Sequence, residues 1–233
     1  YVTAEVINTH HRPAAVVLPE EVSAEEGTFW PLGTSSVLWM WQTAAGANDT
    51  MVIQGQGLVG SGCMQVAKAQ GVGRVIAVDA LPLRCELARE LGADEVVDAS
   101  TGDPLEAVKL LTDGQGADVV VEAVGGRAGA AAFAQAQDML RPGGLLQVLG
   151  LYEEEPLPLY SSKIMGKRLV GSYLEASKRA EGSARTLELL AAGRIQFDKM
   201  ITHRFPYTAA AEAFDLLYNR LGETMAVLLT WDD

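Results

Sequence analysis

Cysteine is nearly absent, with Cys63 and Cys85 the two in 233 residues. That excludes a disulfide framework and a cysteine-built metal site, which need several cysteines at set spacings. Both fall in helix-like stretches, where the expected role is a small buried hydrophobe. Histidine is scarce too: His10, His11 and His203. Adjacent residues on an extended chain point to opposite faces, so His10 and His11 fit a surface loop better than a metal pair. His203 lies in a strand-like segment, where packing or backbone bonding is expected. Lys and Arg number 18 against 30 Asp and Glu, a net charge of −12. Phosphate binding needs clustered Lys and Arg, so no nucleic-acid partner is expected. No apolar run approaches the roughly 18 residues that span a bilayer, so no membrane partner is expected either. Repeats and low-complexity segments are missing. With no signal peptide in view, a cytoplasmic location fits. The chain begins at Tyr1 rather than Met, and we read it as the later part of a longer protein, whose lost segment could carry targeting information.

What is present centres on one stretch. The run Thr50-Met-Val-Ile-Gln ends in Gly55-Gln-Gly57-Leu-Val-Gly60, and a helix-like segment opens behind it. A second apolar run, Val75-Ile-Ala-Val, then closes on Asp79, 24 residues after Gly55. Strand, glycine turn, helix, strand and acid at this spacing imply dinucleotide binding. Gly55 permits the tight turn, Gly57 lets the backbone approach a pyrophosphate, and Gly60 lets the helix pack closely on the strand. The helix N-terminus offers free N–H groups and partial positive charge to the phosphates. Asp79 can accept both hydroxyls of an adenosine ribose and would repel a 2′-phosphate, which favours NAD over NADP. The competing readings are a plain strand–helix–strand turn and a methyltransferase nucleotide site.

From Met51 onward, apolar runs alternate with amphipathic stretches, the pattern of a parallel sheet covered on both faces. Strands are expected at Met51–Gln54, Arg74–Val78, Glu95–Asp98, Asp118–Ala123, Leu145–Leu149 and Leu169–Gly171. Helices are expected at Leu58–Gln70, Pro82–Leu91, Leu105–Leu111 and Ala128–Leu140. Pro82 and Pro104 suit first helical turns, Asp103 suits an N-cap, and Gly92 and Gly114 suit helix ends. Gly143-Gly144 punctuates the opening of the fifth strand. The fold class is α/β, a doubly wound parallel six-stranded sheet in the order 3-2-1-4-5-6. The flanks lack this rhythm. Tyr1–Ile7 is strand-like; a helix (Ala184–Ala192), a strand (Ile201–Phe205), a helix (Ala209–Leu217) and a strand (Met225–Thr230) follow Leu174. These flanks read as remnants of a second, mostly β lobe. The expected division is 1–33 and 175–233 for that lobe and 34–174 for the nucleotide domain.

Several further stretches resemble the medium-chain dehydrogenase/reductase superfamily, whose alcohol and polyol dehydrogenases are often zinc-dependent. They are Val75–Asp79, Glu90–Asp94, Gly116–Gly125, Leu140–Gly144, Gly166–Tyr173 and Ile201–Pro206. The resemblance runs from about Leu18 to Leu229 and implies roles position by position. Leu58 and Val59 amides would meet the pyrophosphate. Asp79 would bind the ribose, with Arg84 against the adenosine; the alternative for Arg84 is a solvated helix residue. Val124 would flank the cofactor ribose, and Leu149, Gly150 and Leu151 would supply backbone near the nicotinamide carboxamide. Tyr173 and Leu174 would approach the same group, from a segment (Leu169–Leu174) that often pairs across a dimer. A homodimer or homotetramer is therefore expected.

Two departures from the family stand out. Its catalytic lobe carries a Gly-His-Glu segment, a zinc-binding Cys and a proton-relaying Ser or Thr, and none of these is in the chain. The catalytic residues thus stay unassigned. Where polyol-type members place a Glu before Pro-Leu, this chain has Trp30-Pro31-Leu32. An indole cannot ligate zinc. Either other residues hold zinc or this branch works without it. Trp39 and Trp41 suit core packing or an aromatic wall for a bulky substrate. Glu153–Glu155 suits a solvated loop, and Glu122 the carboxyl end of its strand. The expected function is hydride transfer between NAD(H) and a secondary alcohol or polyol, or its ketone, with cofactor binding but little or no turnover by this chain alone. The alternatives are a zinc-independent NAD(P)H enone or quinone reductase, and a non-catalytic dinucleotide-binding module.

Overall fold

The computed structural model describes residues 16–151 and 156–231, so Tyr1–Ile7, His10–His11 and Glu153–Glu155 lie outside the described residues. Two helices lead into the sheet. Ser23 caps α1 (Ala24–Gly27) through a reciprocal capping box with Glu26. Next comes α2 (Trp30–Thr43), with Pro31 in its first turn and Ala44 closing it in the left-handed region at φ 53°.

Strands and helices then alternate. They run β1 (Thr50–Gln54), α3 (Leu58–Gln70), β2 (Arg74–Asp79), α4 (Pro82–Glu90), β3 (Glu95–Asp98), α5 (Pro104–Leu111), β4 (Ala117–Glu122), α6 (Gly129–Met139) and β5 (Leu140–Val148). After a short α7 (Ser161–Ile164), β6 (Arg168–Gly171) completes the sheet. Its order is β3-β2-β1-β4-β5-β6, every neighbouring pair parallel, as the sequence implies. The chain continues through α8 (Arg179–Ala191), β7 (Ile201–Pro206), α9 (Ala210–Asn219) and β8 (Ala226–Thr230). There β7 and β8 pair as a separate two-stranded parallel sheet.

Side chains on successive strand residues point to opposite faces, so both faces need apolar residues if both are covered. Met51 and Ile53 of β1 join one core with Met64 and Val66 of α3 and Val37 and Met40 of α2. Val52 joins the other, with Val108 of α5 and Phe133 and Met139 of α6. The punctuation works as its chemistry dictates. Asp103 Oδ1 accepts the Leu105 N–H at 2.9 Å, and Gly92 and Gly114 take φ of 96° and 76°, closed to most side chains.

The structure shows a long helix where the sequence reading assigned no element, and it starts two elements five residues early, α8 at Arg179 and β5 at Leu140. Trp30–Thr43 is a continuous helix, sandwiched between α3 and α8, with apolar residues around most of its circumference. Burial on two sides erases the one-faced pattern that marks a helix in sequence. And β5 pairs from Leu140 rather than Leu145, because the Pro142–Gly144 detour is absorbed by a register shift against β4 between Ala117 and Val119.

Candidate nucleotide site

The glycine turn joins the carboxyl end of β1 to α3, where open α/β sheets bind ligands. Gly55 has φ 90° and donates its N–H to the Val78 carbonyl of β2 at 2.7 Å. A Cβ at Gly60 would stand 1.7 Å from the Gly55 carbonyl oxygen, so helix and turn touch through bare backbone. A Cβ at Gly57 would meet nothing nearer than Arg84 Nη1, at 3.7 Å. The protein leaves that face of the turn open. Behind it α3 starts without a side-chain cap, so the Leu58 and Val59 N–H groups stand in a first turn that has no intrahelical acceptor for them.

Asp79 ends β2 and is 8% exposed. Its Oδ2 accepts the Gln56 N–H at 2.6 Å and its Oδ1 the Leu81 N–H at 2.9 Å. An ionised carboxylate has about four acceptor positions, so each oxygen keeps capacity for a further donor. Arg84 Nη1 lies 3.7 Å from Asp79 Oδ2, while Arg84 Nε is buried without a partner among the described residues. Arg84, half-buried on α4, is thus drawn over the turn.

The neighbouring strand supplies the other wall. Val124 packs its side chain on Gly55 and donates its N–H to Glu122 Oε1 at 2.7 Å. Glu122, fully buried, is the last residue of β4; its carbonyl accepts the Leu149 N–H at 2.7 Å and the Gly150 N–H at 3.1 Å. Those amides are committed to Glu122, so the backbone groups that Leu149 and Gly150 could still offer a ligand are their carbonyls. The Leu151 side chain is exposed. Sequence reasoning missed Gln56, whose N–H ties the turn to Asp79; the middle residue of Gly-x-Gly was the available signal.

Leu174 lines a different depression, a cleft of about 280 Å³ walled also by Trp30, Thr34, Leu38, Arg179 and Ser183. Trp30 Nε1 donates to Ser183 Oγ at 3.0 Å, pinning α2 to α8. Among the described residues no three His, Cys, Asp or Glu side chains gather as a metal set. The residues present therefore do not fit a zinc site, and no chemical step is assigned to one. Cys63 and Cys85 are buried, and burial pushes the Cys63 thiol up to about 12. His203 sits on β7, stacked on Phe205 at 6.4 Å between ring centroids. Trp39 and Trp41 pack against the core.

The family model of zinc-binding dehydrogenases matches residues 59–191. The L-threonine 3-dehydrogenase of Bacillus licheniformis is 32% identical over 229 residues, 98% of this chain and 63% of that protein. The chain belongs to the zinc-binding dehydrogenase family. It spans under two thirds of the length of that relative. Among solved structures, an Escherichia coli CFT073 short chain alcohol dehydrogenase complexed with NADH superposes with TM-score 0.81 at 25% identity, over 94% of this chain and 63% of that one. A Sinorhizobium meliloti 1021 protein bound to NADP gives TM-score 0.77 at 27% identity, over 91% and 61%. These members of one fold carry different nucleotides, so the choice between them rests on local residues. Among the described residues no helix is long and apolar enough to cross a membrane.

Proposed function

We propose that the protein is an oxidoreductase that moves a hydride between NAD(H) and a secondary alcohol or polyol, or its ketone. The observation that carries this is Asp79, held by the glycine turn at Gln56 with acceptor capacity to spare beside the open face of Gly57. Gly55, Gly57 and Gly60 would shape the pyrophosphate cradle, and the Leu58 and Val59 amides would bind the phosphates. Asp79 would take the ribose hydroxyls, Arg84 the adenosine, and Val124 the second ribose. Leu149, Gly150, Leu151 and Leu174 would border the nicotinamide. When bound, the nicotinamide ring accepts or releases the hydride. The names of the relatives support an alcohol or polyol as the substrate class.

We further propose the division at residues 33 and 174, with α2 joining the parts, and a homodimer or homotetramer built on the β6 edge, where Leu169 and Tyr173 are exposed. The test of hydride transfer is isotopic. Incubation of the full-length protein with 4-deuterated NADH and a panel of small ketones should yield deuterated alcohol detectable by mass spectrometry, and this chain alone should yield little or none. Tight NADH binding without label transfer by the full-length protein would favour the non-catalytic dinucleotide module.

A further inference from the structure

The cleft beside Leu174 holds one charged side chain. Arg179, first residue of α8, is partly buried there, and its guanidinium makes no hydrogen bond or ion pair with any described residue. The remaining wall is apolar (Trp30, Pro31, Leu38, Leu174) or hydroxylic (Thr34, Ser35, Ser183). No carboxylate lines it among the described residues, although Asp and Glu outnumber Lys and Arg 30 to 18. Among the described arginines Arg141 pairs with Asp118, Arg204 with Glu25 and Arg185 with Glu188, whereas Arg89, Arg127 and Arg168, which do not line this cleft, share with Arg179 the lack of an ion-paired acid. Arg179 follows directly on a helical turn, Ala176–Lys178, and donates its N–H to the Ala176 carbonyl, so the backbone holds it in place at the mouth of the cleft.

The hydroxyls are set to complement it. Thr34 Oγ1 and Ser35 Oγ donate to the Trp30 and Pro31 carbonyls, at 2.9 and 3.1 Å, which fixes their lone pairs as acceptors. Ser183 Oγ is held by the Trp30 indole at 3.0 Å and keeps its own hydrogen to donate. A guanidinium fork, a spare hydroxyl donor and an aromatic wall together suit a small hydroxy compound that ends in an anion. Bidentate recognition of a carboxylate or phosphate is what the planar guanidinium does best.

We propose that Arg179 is the specificity-determining residue of this cleft, anchoring the anionic group of a hydroxy-acid or phosphorylated-alcohol substrate. The inference deepens the proposed hydride transfer, since it places substrate in the cleft that borders Leu174.

Calorimetric titration of the whole chain tests it, with and without saturating NADH. The probes are 3-hydroxybutyrate for a carboxylate, glycerol 3-phosphate for a phosphate, and 2-butanol and glycerol as neutral counterparts. At least one anion should bind tenfold or more tightly than its neutral counterpart, and which of the two does so identifies the anion. Arg179→Gln should abolish that preference while NADH affinity stays within twofold; Arg179→Lys, which keeps charge but not the fork, should fall between. Equal binding of anions and neutrals, or an unchanged preference in Arg179→Gln, overturns the proposal. So does a large loss of NADH affinity in Arg179→Gln, which would make Arg179 a cofactor ligand. Absent NADH binding in the unaltered chain counts against the nucleotide site alone, because the cofactor-free titration still reads the anion preference.

Discussion

The Asp79 carboxylate and the Gln56 backbone N–H, 23 residues apart in sequence, meet at 2.6 Å. This bond locks the end of β2 to the middle of the glycine turn. One side chain thus shapes the turn and faces the place where a ribose would lie.

Asp79→Asn should therefore harm binding twice. An amide presents an NH₂ group to one of the two backbone donors, Gln56 or Leu81, and it loses the charge that strengthens the remaining bond. Hydrogen bonds to charged groups contribute about 1.5–3 kcal/mol, so NADH affinity should fall at least tenfold. Equilibrium titration checks this, and faster hydrogen exchange at the Gln56 amide would report the loosened turn.

Gly57→Ala and Gly60→Ala should separate binding from folding. At Gly60 the new Cβ would lie 1.7 Å from the Gly55 oxygen, so backbone has to move. Overpacking of this kind costs about 1–3 kcal/mol, and the thermal midpoint should drop by several degrees. At Gly57 the nearest atom is the flexible end of Arg84, at 3.7 Å. That variant should melt like the unaltered chain yet bind NADH at least tenfold more weakly. Equal melting of the two variants would contradict the account of the turn.

Trp30→Phe should remove the bond to Ser183 and keep the packing between α2 and α8. The expected loss is about 1 kcal/mol of stability, read by denaturant unfolding, with NADH affinity unchanged. A large change in affinity would place Trp30 in the nucleotide site instead.

The buried Cys63 thiol predicts behaviour in alkali. Burial raises its pKa from 9.0 to about 12. Between those values the unfolded chain releases the proton and the folded chain keeps it. The thiol's contribution is fully present below about pH 9 and is lost as pH rises toward 12. Thermal midpoints should fall more steeply between pH 9 and 11 in the unaltered chain than in Cys63→Ala. Parallel slopes would show that the thiol is not sealed in.

The nucleotide half was legible because its signals are local. Gly55, Gly57, Gly60 and Asp79 announce themselves by backbone demands and spacing, and Asp103, Gly92 and Gly114 by capping chemistry. α2 was not legible: buried between two helices, Trp30–Thr43 has no single apolar face. The Arg179 cleft was hidden for a different reason. Its walls come from residues about 150 positions apart, such as Trp30 and Ser183, whose bond is a product of folding and of no motif. Glu122 lies between these cases. Its strand-end position was readable from a charge closing an apolar run, but its hold on Leu149 and Gly150 was not.

The most direct test is an equilibrium titration of the chain with NADH and with NADPH, followed by energy transfer from its tryptophans. Asp79 would repel a 2′-phosphate and accept ribose hydroxyls, so NADH should bind at least tenfold more tightly than NADPH. Tighter binding of NADPH, or binding of neither nucleotide, would contradict the site described around Asp79 and the glycine turn.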